Sequence, residues 1–234
     1  MMERVVGRVA ALWRYPVKSL AGESLDAVDV SWHGLAGDRR WAFVRDDAAH
    51  NGFPWLTARQ RADLVLYRPS FAEPDQADAS DVVVRTPEGK DLDLWELAAE
   101  LGGGIRAMKL DRGTFDALPL SLISTRTVVD LGATLDATPD IRRFRPNLVV
   151  EAAADTPFPE DAWVGRVLRV GGLRMRADRP DRRCAVITID PDTAERDPRI
   201  LRAVVTERDL CLGLYGATVE PGRVVVGDPV VLES

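Results

Sequence analysis

The apolar and β-branched runs of this 234-residue chain are short, and each is stopped within a few residues by Gly, Pro or Asp. A short run bounded by turn formers reads as a strand, because a side-chain period of two covers a sheet face in few residues. Val5 to Trp13, Ala27 to Val30, Trp41 to Arg45, Leu64 to Arg68, Val82 to Thr86, Ile105 to Leu110 and Asn147 to Glu151 all fit, as do Leu212 to Val219, Arg223 to Val226 and Pro229 to Leu232. Pro87-Glu88-Gly89-Lys90 marks one hairpin, and Gly171-Gly172 marks another between Val167 to Val170 and Leu173 to Ala177. Cys184 to Ile189 is expected to be a nearly continuous apolar strand, and residues 71–81 a polar surface loop. Helical signals are fewer. Leu94, Leu97, Ala98 and Leu101 share a face behind a cap at Asp91 or Asp93, with Gly102-Gly103-Gly104 as the stop. Ser124 or Thr125 caps a second helix running through Leu131, and Asp197-Pro198 opens a third over Ile200 to Arg208. Many short strands with few helices predict a β-rich α+β architecture of barrel type.

Composition narrows what such a fold can do. Hydrophobic residues make up 46% of the chain, enough for a packed core. With 31 basic and 37 acidic residues the net charge is −6, which excludes a globally basic nucleic-acid binder but not a local basic pocket. Only Lys18, Lys90 and Lys109 among the cations are lysine; the rest are arginine. Two histidines and two cysteines exclude a His-rich zinc site, a paired Cys-x-x-Cys site and a disulfide scaffold. The N-terminus lacks the apolar region of a signal peptide and no stretch reaches membrane-helix length, so a cytoplasmic protein without membrane contact is expected.

Common catalytic motifs are missing: there is no Gly-x-Ser-x-Gly and no Gly-Lys-Ser/Thr phosphate loop. His33 and His50 sit in apparent turns, where a surface role fits better than catalysis, and Asp190-Pro191-Asp192-Thr193 reads as a turn rather than a calcium loop. Gly102-x-Gly104-x-x-Ala107 imitates a dinucleotide fingerprint but ends a helix instead of opening one. Cys184 follows Arg182 and Arg183, which should favour its thiolate; it is either a nucleophile or soft-metal ligand, or a structural buried thiol. Cys211, between two leucines, has only the structural reading. In Tyr15-Pro16-Val17-Lys18-Ser19 a proline breaks the strand and leaves a cation, a hydroxyl and free N–H groups together, suited to an anionic oxygen ligand or merely a solvated turn. Gly37-Asp38-Arg39, Thr57-Ala58-Arg59-Gln60 and Arg143-Phe144-Arg145-Pro146-Asn147 each put Arg at a turn or strand end.

Taken in order, these motifs resemble one family. Tyr15 to Ser19, Gly37-Asp38-Arg39 and Thr57 to Gln60 look like the N-terminal β-barrel region of MOSC-domain proteins. Phe144-Arg145-Pro146-Asn147, Arg183-Cys184 with Asp190 to Thr193, and Gly227-Asp228-Pro229-Val230 look like the MOSC domain itself. The resemblance extends to the amidoxime-reducing molybdenum proteins and to the C-terminal part of cofactor sulfurases. It implies an N-terminal β-barrel-like region over residues 1–115 packed on a MOSC β-barrel domain over 116–234, with a few peripheral helices.

What the resemblance implies for chemistry is a molybdenum cofactor, Mo-molybdopterin, with Cys184 as the catalytic protein ligand of molybdenum. Lys18, Arg39, Arg59 and Arg145 would line a groove for its phosphate and pterin, with Arg183 beside the thiol and Ser19 and Asn147 adding neutral hydrogen bonds. Around Asp116 the relatives carry hydroxyl residues where this chain has Ala117 and Leu118, so hydroxyl contacts fall to Ser121 or Ser124. The expected activity is reduction of a small N-hydroxylated or N-oxide substrate. Its electrons are expected from a separate flavoprotein or iron–sulfur protein, since no cysteine cluster follows residue 184. A cofactor or sulfur carrier without turnover, and a cofactor-free module binding a small anion or partner, are the alternatives. Loops at Asn51 to Trp55 and Asp155 to Trp163 are the candidate substrate walls.

Overall fold

The computed structural model describes residues 3–48 and 53–233. Seven strands form a closed barrel: β1 (Arg4–Arg14), β2 (Leu120–Ser124), β3 (Leu148–Ala152), β4 (Val167–Val170), β5 (Leu173–Arg182), β6 (Cys211–Glu220) and β7 (Pro229–Leu232). Their order around the barrel is β3-β2-β6-β5-β4-β7-β1. The seam closes where β1 returns antiparallel to β3, with Gly7 opposite Ala152 and Leu12 opposite Leu148. The first strand of the chain therefore completes a barrel otherwise made by the second half. Three helices, α1 (Leu94–Leu101), α2 (Thr125–Leu135) and α3 (Pro198–Arg208), lie outside it. Among the described residues no helix is long and apolar enough to cross a membrane.

Alternation along the strands fills the barrel. Leu12, Leu122, Val150, Leu168, Met175, Leu214 and Val230 point inward and are buried in one core. A second core, including Val17, Trp41, Phe43, Leu64, Val84 and Leu97, lies under the strand pair Trp41–Arg45 and Ile105–Lys109, a three-stranded sheet and α1. Asp93 caps α1 through the backbone N–H groups of Trp95 and Glu96, and Glu96 returns the bond. Ser124 caps α2 and Asp197 caps α3, which starts at Pro198. Helices α2 and α3 cover the outside of β2 and β6 with a third apolar cluster containing Val128, Leu131, Ile187 and Val204. The β-rich α+β class and barrel architecture expected from the sequence are those of the structure.

Several local expectations are corrected. Cys184 to Ile189 is not a strand: β5 ends at Arg182, and Ala185–Thr188 is a 3-10 turn in which the Ile187 N–H donates to the Cys184 carbonyl at 3.2 Å. Ile187 and Ile189 are buried in two different clusters, so the run looks uniformly apolar without strand periodicity. Leu64 to Arg68 is likewise a 3-10 turn, Ala62–Leu66, followed by the strand Arg68–Phe71. Strand β5 extends past Ala177 to Arg182, its register slipping on both sides of Pro180. The unforeseen strand β2 is buried at all five positions, which erases alternation.

The barrel seam tolerates nothing larger than hydrogen at residue 7. A Cβ there would lie 2.5 Å from the Glu151 carbonyl oxygen, a backbone atom that cannot move without breaking the β1–β3 ladder. Gly7→Val is expected to destabilise the protein by about 1–3 kcal/mol, as overpacking does. Urea unfolding of the two proteins measures it, and equal midpoints would show that the seam yields freely.

Candidate functional site

One cavity of about 720 Å³ collects the nine residues expected to hold the cofactor: Lys18, Ser19, Arg39, Arg59 and Ser121 line it, as do Arg145, Asn147, Arg183 and Cys184. Turns at strand ends bring them together. After β1 the chain bends at Pro16, and Ser19 takes a left-handed backbone with φ 71°. Arg39 and Arg145 take the same conformation, at φ 51° and 50°. The Arg39 N–H donates to the Tyr15 carbonyl at 2.6 Å, tying the two N-terminal turns, while Asp38 accepts from the Tyr15 N–H at 2.8 Å. The Tyr15 ring is then flanked by two guanidinium groups, Arg39 at 4.5 Å and Arg145 at 4.2 Å from its centroid. Thr57 and Gln60 close the third turn, and Arg196 fastens it to the second half through the Ala58 carbonyl at 3.0 Å.

Lys18 is buried, donating to the Thr114 carbonyl at 2.7 Å and to Asp116 Oδ1 at 2.5 Å. Arg59 reaches the other oxygen of Asp116 at 3.1 Å, and its guanidinium lies near the Cys184 side chain, which with Asp116 favours its charged form against burial. Burial pulls the Lys18 ammonium down from its ordinary value, with Asp116 opposing. Burial works upward on the Asp116 carboxyl, but Lys18 first and then Arg59 outweigh it and hold it below the usual carboxylate range. Phe53 packs beneath both cations, its ring centroid 5.8 Å from Lys18 and 5.4 Å from Arg59.

The cation that meets Cys184 is thus Arg59 and not its neighbours in sequence. Arg183 turns inward instead, donating to the Leu212 and Phe144 carbonyls at 2.7 and 2.8 Å and pairing with Asp181 at 2.8 Å. Ser121 and Asn147 line the cavity but spend polar atoms on each other: Ser121 Oγ donates to Asn147 Oδ1 at 3.1 Å. Ser124 caps α2 and does not line the cavity. Ala117 and Leu118 do line it, so this part of the wall is apolar and offers no hydroxyl.

Three participants carried no signal of their own in the sequence. Asp181 and Tyr215 line the cavity from β5 and β6, and Arg179 joins them. Asp181 is buried, with Oδ1 lacking a hydrogen-bond partner among the described residues. Burial pushes its carboxyl up to about 6 against the pull of Arg183. Burial lowers the Arg145 guanidinium to about 10, with Tyr15 opposing and Arg39 assisting. Arg145 Nη1 donates to the Leu20 carbonyl at 2.7 Å, but Nη2 is buried without a partner among the described residues. Of the charged side chains lining the cavity only Asp116 and Asp181 are acidic, so a focused basic pocket sits in an acidic protein.

Other expected positions fall elsewhere. His33 is exposed beside a turn. His50, with Asn51 and Gly52 of the proposed substrate loop, lies outside the described residues. None of residues 155–163 lines the cavity. Asp190 accepts from the N–H groups of Asp192 and Thr193 at 2.9 and 3.0 Å, forming the expected turn.

A closed β-barrel with a cationic cavity and a single thiol at its wall defines the class. The MOSC domain model matches residues 111–231 and the MOSC N-terminal beta barrel domain model matches residues 6–109. The chain belongs to the MOSC-domain family. It is similar to mitochondrial amidoxime reducing component 2 of Bos taurus, 24% identical over 96% of this chain and 83% of that protein. Mitochondrial amidoxime-reducing component 1 of Mus musculus is 25% identical over 97% of this chain and 82% of its own length. A molybdenum cofactor sulfurase of Drosophila mojavensis is 28% identical over 86% of this chain but only 30% of that protein. Among solved structures, the YUAD protein of Bacillus subtilis shares the fold with a TM-score of 0.54 at 12% identity, over 100% of this chain and 98% of that one.

Asp181 gives the site a measurable pH signature. Its carboxyl binds a proton more tightly folded than unfolded, so its contribution to stability is full below about pH 4 and is lost as pH rises through about 6. Asp181→Asn keeps the shape and removes the titration. The stability of wild type relative to the variant is expected to fall by up to about 3 kcal/mol across that window and to level off above it. Parallel unfolding curves from pH 4 to 7.5 measure this; a constant difference would mean that Asp181 does not titrate there.

Proposed function

We propose that this protein is a molybdenum-cofactor-dependent reductase of N-hydroxylated or N-oxide compounds, with Cys184 as the protein ligand of molybdenum and electrons delivered by a separate donor protein. What supports this most is the pairing of one partly exposed thiol, Cys184, with a cavity whose other charged walls are nearly all cationic. A thiolate suits a sulfur-rich metal centre, and a group that brings its own dithiolene needs few protein ligands. The residues suit such a group: several cationic side chains and one partly exposed thiol line the same cavity, and a volume of about 720 Å³ has room for a phosphorylated pterin. Bound there, the cofactor would supply two-electron redox chemistry.

The chain's own residues would do the rest. Lys18, Arg39, Arg59 and Arg145 would neutralise the cofactor's negative charge, with Ser19, Asn147 and Ser121 at its neutral edges and Arg183 fixing the backbone at Cys184. Arg59 pairs with Asp116 near the thiol, so it would place positive charge beside Cys184. Reduction of an N–OH group takes two electrons and two protons, breaks the N–O bond and releases water. Asp181, its carboxyl pushed up to about 6 by burial, would take up and release a proton a little below neutral pH on the same cavity wall, and the apolar surface of Phe115, Ala117 and Leu118 would help to exclude water. We assign residues 1–115 and 116–234 to the two MOSC regions and the activity to the cytoplasm, in keeping with two free cysteines. The replacement of wall hydroxyls by Ala117 and Leu118 favours a second reading, a cofactor or sulfur carrier without turnover.

Expression in a cofactor-competent host tests both. Wild type should carry close to one molybdenum per chain and reduce benzamidoxime with a reduced dye as donor. Cys184→Ala should lose the activity and most of the metal. Equal activity and metal content in the two proteins would overturn the assignment; molybdenum without turnover across amidoximes, hydroxylamines and N-oxides would leave the carrier.

A further inference from the structure

The turn at Asp190 to Thr193 has no part in the chemistry described above, yet it is tightly closed. The Asp190 N–H donates to the Glu195 carbonyl at 2.7 Å, the Ala194 N–H to the Asp190 carbonyl at 3.0 Å and the Asp197 N–H to the Thr188 carbonyl at 2.8 Å. Ile189 and Arg196 face each other as an antiparallel bridge. Two arginines of a neighbouring turn hold it from outside, Arg142 on Asp192 at 2.5 Å and Arg143 on Asp190 at 2.6 Å. Backbone closed in this way fixes the direction in which Arg196 leaves it.

Arg196 crosses from the second half of the chain to the first. Its Nη2 donates to the Ala58 carbonyl at 3.0 Å and the Arg59 carbonyl at 3.3 Å, and its Nη1 to the Ala185 carbonyl at 3.4 Å and Thr188 Oγ1 at 3.5 Å. These acceptors belong to two turns. One carries Arg59, whose guanidinium lies near Cys184, and the other begins at Ala185, directly after Cys184. Bonds inside Thr57 to Arg61 set the shape of the first turn, with the Thr57 N–H on Gln60 Oε1 at 2.9 Å and the Arg61 N–H on the Thr57 carbonyl at 3.1 Å. They do not set its place relative to the thiol. Among the described residues, the hydrogen bonds that tie this turn to the second half are those of Arg196 and the Arg59–Asp116 pair. Ala58 also shares an apolar cluster with Ile189, a contact without direction. A planar guanidinium donates to both sides at once, which the compact ammonium of a lysine does not reproduce.

We propose that Arg196 is a positioning residue of the site: by bridging the backbone of Arg59 to the backbone beside Cys184, it sets how close the Arg59 charge lies to the thiol. The Asp190 to Thr193 turn is the rigid base from which it reaches. The inference rests on the proposed function only in taking Cys184 as the reactive group, and its test needs no metal.

Alkylation of Cys184 in the full chain, purified from a host that makes no molybdenum cofactor, tests it. Iodoacetate and iodoacetamide are compared at one pH, with labelling at Cys184 read by mass spectrometry. The ratio of the two rates cancels thiolate fraction and reports positive charge beside the sulfur. Arg59→Gln should lower that ratio by about 3–5-fold. Arg196 is exposed, so Arg196→Gln leaves no hole in a core, and it should lower the ratio by about 2–3-fold. In the double variant the ratio should equal that of Arg59→Gln alone, because Arg196 acts through Arg59. Arg196→Lys keeps the charge without the two-sided bridge and should behave as Arg196→Gln. Circular dichroism checks each fold, and the Lys variant carries the test if the Gln variant unfolds. An unchanged ratio in Arg59→Gln or Arg196→Gln, effects that multiply in the double variant, or a wild-type ratio in Arg196→Lys would each overturn the proposal. A wild type that takes up no molybdenum would overturn the reductase reading alone, since these ratios are read without it.

Discussion

Everything at the site hangs on the antiparallel seam between β1 and β3. Leu12 pairs with Leu148 and the Trp13 N–H donates to the Asn147 carbonyl at 2.9 Å, so the end of β1 is locked against the start of β3. The two turns that carry the cations, Tyr15 to Ser19 and Arg143 to Asn147, are the continuations of those two strand ends. Had β1 paired only within its own half of the chain, Lys18 and Arg145 would belong to separate bodies. Barrel closure makes their proximity a property of the hydrogen-bond ladder, and ladders slip only at the expense of a whole core face.

Crowding so many cations into one cavity is unfavourable, and the structure shows how the cost is met. Asp116 divides its two oxygens between Lys18 and Arg59, and Asp38 anchors Arg39 from beneath. The Tyr15 ring packs against both Arg39 and Arg145, an attraction that needs no counter-charge. What remains uncompensated is Arg145, whose guanidinium burial drives down to about 10 while its Nη2 stays unpaired. Charge fixed in this way is pre-organised, and pre-organised charge avoids reorganisation when an anion binds.

Much of this was legible in the chain, and what was not has particular causes. Strands with one wet face, such as Val82–Arg85 with alternating burial, declare themselves by periodicity; β2 does not, because all five of its positions are buried. The nine cavity residues were expected from the family resemblance that the motifs carry in order, which no single motif supplies. Adjacency in sequence misled at Cys184: in an extended segment neighbouring side chains diverge, so Arg182 is exposed, Arg183 is buried among carbonyls, and Arg59 arrives from far away. Asp181 stood in plain view within Arg179-Pro180-Asp181-Arg182-Arg183, yet its burial depends on Tyr215 across the β5–β6 ladder, a pairing that sequence spacing does not reveal.

Asp181 and Arg183 finally explain why the segment bearing Cys184 leaves the sheet. The register of β5 against β6 slips between Ala177 and Arg179 and again between Pro180 and Arg182. Those irregularities turn Asp181 inward, where Arg183 meets it, and Arg183 in turn bonds the carbonyls of Leu212 on β6 and Phe144 ahead of β3. Three separate pieces of backbone are thereby fixed relative to residue 184 before any ligand is present. A regular strand would have placed the thiol on a ladder, facing either core or solvent. Bulges and a buried ion pair place it at the cavity wall instead, which is how a mostly antiparallel barrel brings one thiol to a cavity without opening its core.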